Sequence, residues 1–168
     1  MTTADHPATG QLALLALCGD LVVAIEAMSI HAIRQVAETT ARSVGDGLAV
    51  IELDGARVPG WDLCELLGLG AGNHAWVVVD LPGLRGRVGF RVGRCVMVHP
   101  LPSCRTIPRG IFTARGDAVA AGFSVAAIPE LAEHVSGVVL DLARLLTERE
   151  RGLTARIGEE GHAPALDR

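Results

Sequence analysis

The amino-acid sequence predicts a mostly β fold, arranged as a pair of small barrels or a barrel-like sandwich. Short runs rich in valine, isoleucine and leucine recur along the 168 residues, and glycine, proline and aspartate turn signals separate them. About seven to ten strands and two helices result, a count typical of such barrels. At this length about 70 % of the unfolded surface can be buried, which fits one domain or two subdomains with a common core.

The first part of the chain divides at Gly19-Asp20, a pair that favours a tight turn between two apolar runs. The predicted elements are a disordered tail over 1–10, hairpin strands over 11–18 and 21–26, a strand or a short helix over 28–36, and a loop over 37–46. The tail prediction follows from small polar residues without periodicity, and the loop prediction from Thr, Ser, Gly and Asp content.

The central supersecondary unit begins with a β-branched run that predicts a strand over 48–53. Asp54-Gly55 then supplies the positive φ that a tight hairpin turn needs. We expect Pro59 to end the pairing of the return strand, because proline lacks an N–H. A helix is predicted over 62–67. The unit holds no nucleophile beside a base and no metal-ligand spacing, so it indicates architecture that presents a surface.

The remaining chain continues the alternation of strands and turns. Its predicted elements are a glycine-rich connection over 68–73, a strand over 75–80, a turn at Pro82-Gly83, one long strand over 86–98, an irregular excursion over 99–117, strands over 119–127 and 135–140, and a helix from Asp141 that leads into a charged tail. Gly89 and Gly93 indicate a bulge or the sharp bend of a barrel corner in the long strand. The glycine-rich connection follows a helix and not a strand, which favours a helix exit over a phosphate-binding loop.

Charge and hydropathy exclude two classes of partner. Net charge is −4 and the 15 basic residues, all arginine, are dispersed, so the basic stripe that nucleic acid requires is missing. Mean hydropathy is high at +0.37. Even so, the apolar runs 12–18 and 118–128 are far shorter than the roughly 20 residues that span a bilayer. We expect no direct membrane insertion, no export signal ending at Cys18, and a cytoplasmic protein.

The residues that bear chemistry do not form a catalytic or metal-binding pattern. The four cysteines contain no CxxC pair and no finger spacing with histidine, so reduced thiols are expected, with no metal and no cofactor. Cys95 and His99 lie about 13 Å apart along a strand. Cys104 could reach His99 from a loop, yet no third group is present to orient the pair. We expect no catalytic residues and no enzyme activity.

The order and spacing of several short motifs resemble the CheW-like domain family over roughly residues 11–147. The matching pieces are Gly55-Ala56-Arg57-Val58-Pro59, Asp62-Leu63, Leu66-Leu67-Gly68-Leu69, Val88-Gly89-Phe90-Arg91-Val92, Gly122-Phe123-Ser124-Val125 and Val138-Val139-Leu140-Asp141-Leu142. The resemblance implies two intertwined five-stranded SH3-like barrels with short helices and a C-terminal helix. It places the domain over 11–148, with the helix end and a C-terminal tail over 149–168.

The function that this resemblance implies is that of a non-catalytic adaptor in a bacterial chemosensory array. CheW-like proteins couple the cytoplasmic tips of methyl-accepting chemoreceptors to the regulatory domain of a CheA-type histidine kinase. The positions that match the family's contact motifs, and that we therefore expect to bind partners, are Ile30, Ala32, Ile33, Leu53, Asp54, Gly55, Val92 and Gly93. Self-association stays open.

Three of these positions depart from the family pattern. Asp54 stands where the family has arginine, Ala32 where it has glutamate, and Gly93 where it has aspartate. The runner-up hypothesis is therefore a CheW-fold protein that serves as an interaction or dimerisation scaffold and no longer couples a standard receptor and kinase. A small-ligand-binding barrel is a further alternative, which would require a cavity.

Overall fold

The computed structural model describes residues 10–107, 114–134 and 136–160. These residues confirm the mostly β fold class, with two mixed sheets and few helices. The strands are β1 (Leu12–Cys18), β2 (Leu21–Glu26), β3 (Ile30–Gln35), β4 (Ala41–Gly45), β5 (Leu48–Leu53), β6 (Ala56–Asp62), β7 (Ala75–Asp80), β8 (Arg87–Val92), β9 (Arg94–Pro100), β10 (Cys104–Arg105), β11 (Val119–Phe123) and β12 (Gly137–Leu140). The α-helices are α1 (Leu63–Leu66) and α2 (Glu148–Glu160).

The two barrel-like sheets are intertwined along the chain. The terminal sheet has the order β10-β11-β12-β2-β1-β9, and the inserted sheet has the order β3-β7-β8-β6-β5-β4. Since β3 to β8 lie between β2 and β9 in sequence, the inserted sheet forms inside the terminal one. Each sheet contains six strands where five were expected, and each contains one parallel pair, β12 with β2 and β6 with β8.

A central core joins the two sheets, and each sheet also encloses a core of its own. The alternating side chains of strand β1 contribute to two of these cores, the central core and that of the terminal sheet. Leu14 and Cys18 face the central core, while Ala13 and Leu15 face the interior of the terminal sheet. The strand is apolar throughout because both of its faces are buried.

Gly93 makes the corner that the sequence indicated. The predicted long strand is in fact two strands, β8 in the inserted sheet and β9 in the terminal sheet, and Gly93 stands between them. Its N–H donates to the carbonyl of Leu17 at 2.8 Å, and a Cβ at Gly93 would lie 2.8 Å from that same oxygen. Only glycine allows the two backbones to approach this closely.

The central unit contains one wrong prediction. Strand β5 and the turn are as expected, with φ of 49° at Asp54 and 81° at Gly55. Pro59, however, does not end the pairing, since β6 continues to Asp62. Pro59 pairs with Val50 on β5, and pairing of β6 with β8 starts only at the next residue. The missing N–H therefore costs no ladder bond on the side of β8.

The segments 28–36 and 37–46 become edge structure. The first holds β3 between two 3-10 turns, which resolves the open choice between strand and helix. The second was wrongly predicted as a loop and holds β4, an edge strand whose five residues are all exposed. An edge strand without a buried face shows no apolar alternation, so its sequence resembles that of a loop.

The C-terminal helix starts later than predicted. Asp141 caps a 3-10 turn over Leu142–Arg144 by accepting from the N–H of Ala143 at 3.0 Å, and α2 follows from Glu148. Thr147 and Glu150 form a capping box: the N–H of Glu150 donates to the Thr147 hydroxyl, and the N–H of Thr147 donates to the Glu150 carboxylate. This pattern marks the helix start in the sequence.

The remaining predictions concern the irregular excursion, the N-terminal tail and membrane-spanning helices. The excursion over 99–117 contains the end of β9 and the short β10, while residues 108–113 lie outside the described chain. The predicted N-terminal tail lies, apart from Gly10, outside the described residues as well. Within the described residues, no helix is both long and apolar enough to cross a bilayer.

Candidate protein-interaction surface

Strand β3 forms one side of the candidate surface. A bulge between Ile30 and Ala32 shifts the register, so that Ile30 pairs with Val79 and Ile33 pairs with Val77. Both partners face the central core. Ile30 and Ile33 therefore share the core-facing side of an edge strand. Ile30 packs against the central core, whereas Ile33 is 40 % exposed.

The terminal sheet forms the opposite side. Leu12 pairs with Pro100 and Leu14 with Val98 across β1 and the edge strand β9. Residues paired in this way point to one face, and Leu14 shows that this face is the one that buries the central core. Leu12 and Val98 lie at its open end and are 53 % and 55 % exposed.

Met28 lies on the 3-10 turn that connects β2 to β3, packed beside β1, and is 89 % exposed. We call Leu12, Met28, Ile33 and Val98 the edge patch. They are four of the five large apolar side chains that are exposed in the described part of the chain. Leu12, Ile33 and Val98 stand on the core-facing sides of their strands and Met28 stands on the turn between β2 and β3, which makes the edge patch a candidate protein-binding surface.

The β5–β6 turn reaches the same strand from the other side. Asp54 forms an ion pair with Arg34 of β3, with Oδ2 and Nη2 3.5 Å apart, and both side chains are largely exposed. The charge at Asp54 is therefore balanced within the chain. The ion pair thus places the turn at 53–55 beside β3. That strand carries the other segment, 30–33, that the family resemblance marked as contact positions.

The eight predicted contact residues differ in exposure. Ile33, Asp54 and Gly55 are exposed, and Ile30, Ala32 and Gly93 are half-buried. Leu53 and Val92 are buried in the cores of the molecule, which fits packing roles in place of direct contact. Sequence reasoning missed Leu12, Met28 and Val98, because the local sequence does not show which apolar side chains the tertiary structure leaves uncovered.

Gly93 lies apart from the open end of β3. Its neighbour Val92 pairs with Ala75, and Ala75 pairs in turn with Gln35, the last residue of β3. Ile30 is the first residue of that strand, and the edge patch residue Met28 lies on the turn just before it. Val92 and Gly93 thus belong to the barrel corner and not to the edge patch.

The His99 imidazole and the Cys104 thiol each contact a backbone carbonyl oxygen. The His99 ring nitrogen Nδ1 lies 2.6 Å from the carbonyl of Pro100, and the Cys104 thiol donates to the carbonyl of Pro102 at 3.4 Å. Burial raises the pKa of Cys95 and of Cys104. Thiols of this kind are protonated at neutral pH and therefore weak nucleophiles.

Cys18 and Cys64 contact each other in the central core. A hydrogen bond with Cys64 and burial together raise the pKa of the Cys18 thiol well above its ordinary value. In the described ranges, no three His, Cys, Asp or Glu side chains stand close enough to hold a metal ion. The four cysteines are free thiols.

Comparison with known proteins supports the fold. No family model and no curated protein matches the sequence. Among solved structures, the chain is similar to the scaffolding protein TtCheW from Thermoanaerobacter tengcongensis, with a TM-score of 0.66 over 84 % of this chain and 97 % of that one. Identity is 14 %, so the likeness concerns the backbone and not individual contact residues. The chain therefore has a CheW-like fold carried by a divergent sequence.

Proposed function

We propose that this protein is a non-catalytic adaptor of a bacterial chemosensory array, which couples chemoreceptor tips to a CheA-type histidine kinase in the cytoplasm. The observation that carries the proposal is the edge patch, a set of exposed apolar side chains on the two sheets of a CheW-like fold. A scaffold acts by binding alone, so an uncovered interaction surface is the feature that it requires.

The edge patch suits a helical partner. Its side chains stand on the edge strands β3 and β9, on β1 beside β9 and on one turn, and we infer that they form an open apolar strip in which one face of an amphipathic helix can lie. Burial of one fully exposed aliphatic side chain contributes about 1.5–3 kcal/mol before the costs of association. A micromolar complex corresponds to about 8 kcal/mol, so burial of the four partly exposed side chains supplies part of this free energy and further contacts supply the rest. We assign this strip to the receptor tip.

The kinase regulatory domain is assigned to the β5–β6 turn and the neighbouring part of β3. There Asp54 and Arg34 offer polar contacts beside the exposed Ile33. An adaptor bound to both partners biases the kinase when its affinity differs between the active and inactive states of the kinase. No cofactor takes part.

Titration with receptor tips tests the assignment. Val98→Arg introduces a charge into the edge patch and should weaken binding of the organism's own receptor-tip fragment at least tenfold, measured by calorimetry. Val44→Arg is the matched control, since Val44 is an exposed valine on the edge strand of the other sheet. Equal binding by wild type and Val98→Arg would refute the assignment of the edge patch.

The second candidate is an interaction or dimerisation scaffold that no longer couples receptor and kinase. The ion pair between Arg34 and Asp54 favours it, because Asp54 replaces the arginine of the family motif and its charge is balanced internally. Titration of the wild type with the kinase regulatory domain separates the two functions. Saturable micromolar binding supports the adaptor, and absence of binding supports the scaffold.

A further inference from the structure

The face of the inserted sheet that helix α2 covers carries a second surface. Along β5, Ile51 and Leu53 face the core inside the sheet, whereas Leu48 belongs to the central core and lies with Val50 on the opposite face of the strand. Helix α2 covers this second face and is fixed there by Trp61, whose indole N–H donates to the buried Thr154 hydroxyl at 3.0 Å.

A groove remains between α2 and the strands β4 and β5, with a volume of about 270 Å³. Its apolar lining includes Val44, Leu48, Val50, Leu153 and Ile157. The two helix residues lie one turn apart and are half-buried against the sheet. Val44 is 45 % exposed, and it is the one large exposed apolar side chain of the described residues that lies outside the edge patch. We call this site the α2 groove.

The rim of the α2 groove is basic. Arg42, Arg57 and Arg156 line it, and in the described part of the chain none of the three makes an ion pair. Of the two carboxylates in the lining, Asp46 is paired with Arg149 at 3.5 Å, which leaves Glu160. Among the described residues, three guanidinium groups around an apolar floor exceed the negative charge of the lining, although the chain as a whole carries −4.

We propose that the α2 groove docks an extended acidic segment of a partner protein that carries one or two large apolar side chains. A dry cavity of about 150 Å³ accepts a benzene ring, so the groove has room for such side chains. Guanidinium groups bind carboxylates with two parallel hydrogen bonds, which fixes the acidic flanks. In the described ranges, β4 is the last strand of its sheet, so its outer side can pair with the peptide backbone.

Other chemistries fit this site less well. A nucleic acid would need a continuous basic stripe and stacking side chains, whereas the lining contains Asp46 and Glu160 and no aromatic residue. The proposal does not depend on the adaptor function, because its residues belong to neither the edge patch nor the β5–β6 turn.

Peptide selection tests the proposal with the full chain. A phage-displayed library of random 12-residue peptides is selected on the wild type, and the enriched peptides are synthesised and titrated by fluorescence anisotropy. We expect enrichment of peptides with several Asp or Glu residues around Leu, Ile or Phe. Their affinity should fall at least tenfold in the double variant Arg42→Glu with Arg57→Glu, and it should weaken as salt rises.

Matched variants decide where the peptides bind. Arg94→Glu with Arg105→Glu changes the net charge equally on exposed strand positions of the terminal sheet and should leave affinity unchanged. Val98→Arg should also leave it unchanged. The proposal is overturned if no peptide is enriched, if enriched peptides lack acidic residues, or if Val98→Arg and not the arginine variant abolishes binding. A dimer in sedimentation velocity that Val44→Asp dissociates would also overturn it, since a second copy would then occupy the groove.

Discussion

At the scale of single residues, Asp54 shows how the fold changes the interpretation of a substitution. In the sequence, Asp54 stands where the family motif has arginine, and this reversed charge suggests that a contact with a partner protein is lost. In the structure it occupies a turn position with φ of 49° and pairs with Arg34. Aspartate is among the few residues that adopt this conformation readily. Asp54 therefore stabilises the turn, independently of any contact with a partner.

Exchanging the charges of Arg34 and Asp54 distinguishes a role of Asp54 in the turn from a role in partner binding. Asp54→Arg should reduce binding of the kinase regulatory domain about tenfold, and the double variant with Arg34→Asp should not restore it, because the proposed assignment has the kinase contact the charge at position 54 itself. Stability should change by only about 1–2 kcal/mol, since the pair is exposed and the turn strain is modest. Calorimetric titration and urea unfolding measure both quantities.

A matched exchange serves as the control. Asp46 also has a positive φ, 56°, and pairs with Arg149 at 3.5 Å on an exposed surface. Asp46→Arg with Arg149→Asp should leave kinase binding unchanged. Recovery of binding by the double exchange at Arg34 and Asp54 would contradict direct recognition and assign the ion pair to ordering of the turn.

At the scale of elements, α2 is the clearest case of a segment that packs through polar contacts. Glu150 accepts from the Thr147 N–H and from the Arg115 guanidinium, which also donates to the carbonyl of Leu145. Arg151 donates to the carbonyl of Pro82 at 3.0 Å. These bonds hold the helix against two loops, so its position beside the central core on the inserted sheet is fixed at its first turn.

The Glu150 contacts predict a pH dependence. Burial alone would raise the pKa of Glu150, but the hydrogen bonds from Arg115 and Thr147 outweigh it and lower the pKa. The carboxylate thus stabilises the fold above its unfolded pKa near 4.3, and this contribution is lost as pH falls through the lower folded pKa.

Glu150→Gln should therefore cost about 1–2 kcal/mol of unfolding free energy at pH 7 and far less at pH 3. Urea unfolding at both pH values measures the difference. Glu148→Gln, an exposed carboxylate of the same helical turn, should have little effect at either pH. An equal cost of Glu150→Gln at pH 7 and pH 3 would show that the charge is not what stabilises the helix.

At the scale of the whole molecule, the shared central core makes the two sheets depend on each other. Leu14 of the terminal sheet and Phe90 of the inserted sheet are both buried in it. The chain also crosses from one sheet to the other at Gly93. Neither sheet can lose the other without exposing a large apolar face, so we expect one cooperative unfolding transition.

Tryptophan fluorescence can test this coupling, because Trp61 and Trp76 both belong to the inserted sheet. Leu14→Ala, made in the terminal sheet, should lower the stability reported by fluorescence by about 2–5 kcal/mol, equal to the loss reported by circular dichroism. Leu12→Ala, exposed on the same strand, should change it little. A fluorescence midpoint unaffected by Leu14→Ala would mean that the two sheets unfold independently.

The sequence by itself determined the features that depend on local chemistry. Alternating apolar runs and turn residues specify most strands, Asp54-Gly55 specifies its hairpin turn, and the glycine at position 93 marks the corner between the sheets. Motif order was sufficient to predict the CheW-like fold. The capping box at Thr147 and Glu150 was also present in the sequence, although its significance was missed.

Only the tertiary structure decided which surfaces stay open. Strand β4 and the passage of β6 through Pro59 depend on which neighbours each strand has, and that is set by pairing between distant residues. The same holds for the edge patch and for the α2 groove. Leu12 and Leu14 are chemically identical, yet Leu14 is buried and Leu12 is exposed, because only one of them is covered by the opposite sheet.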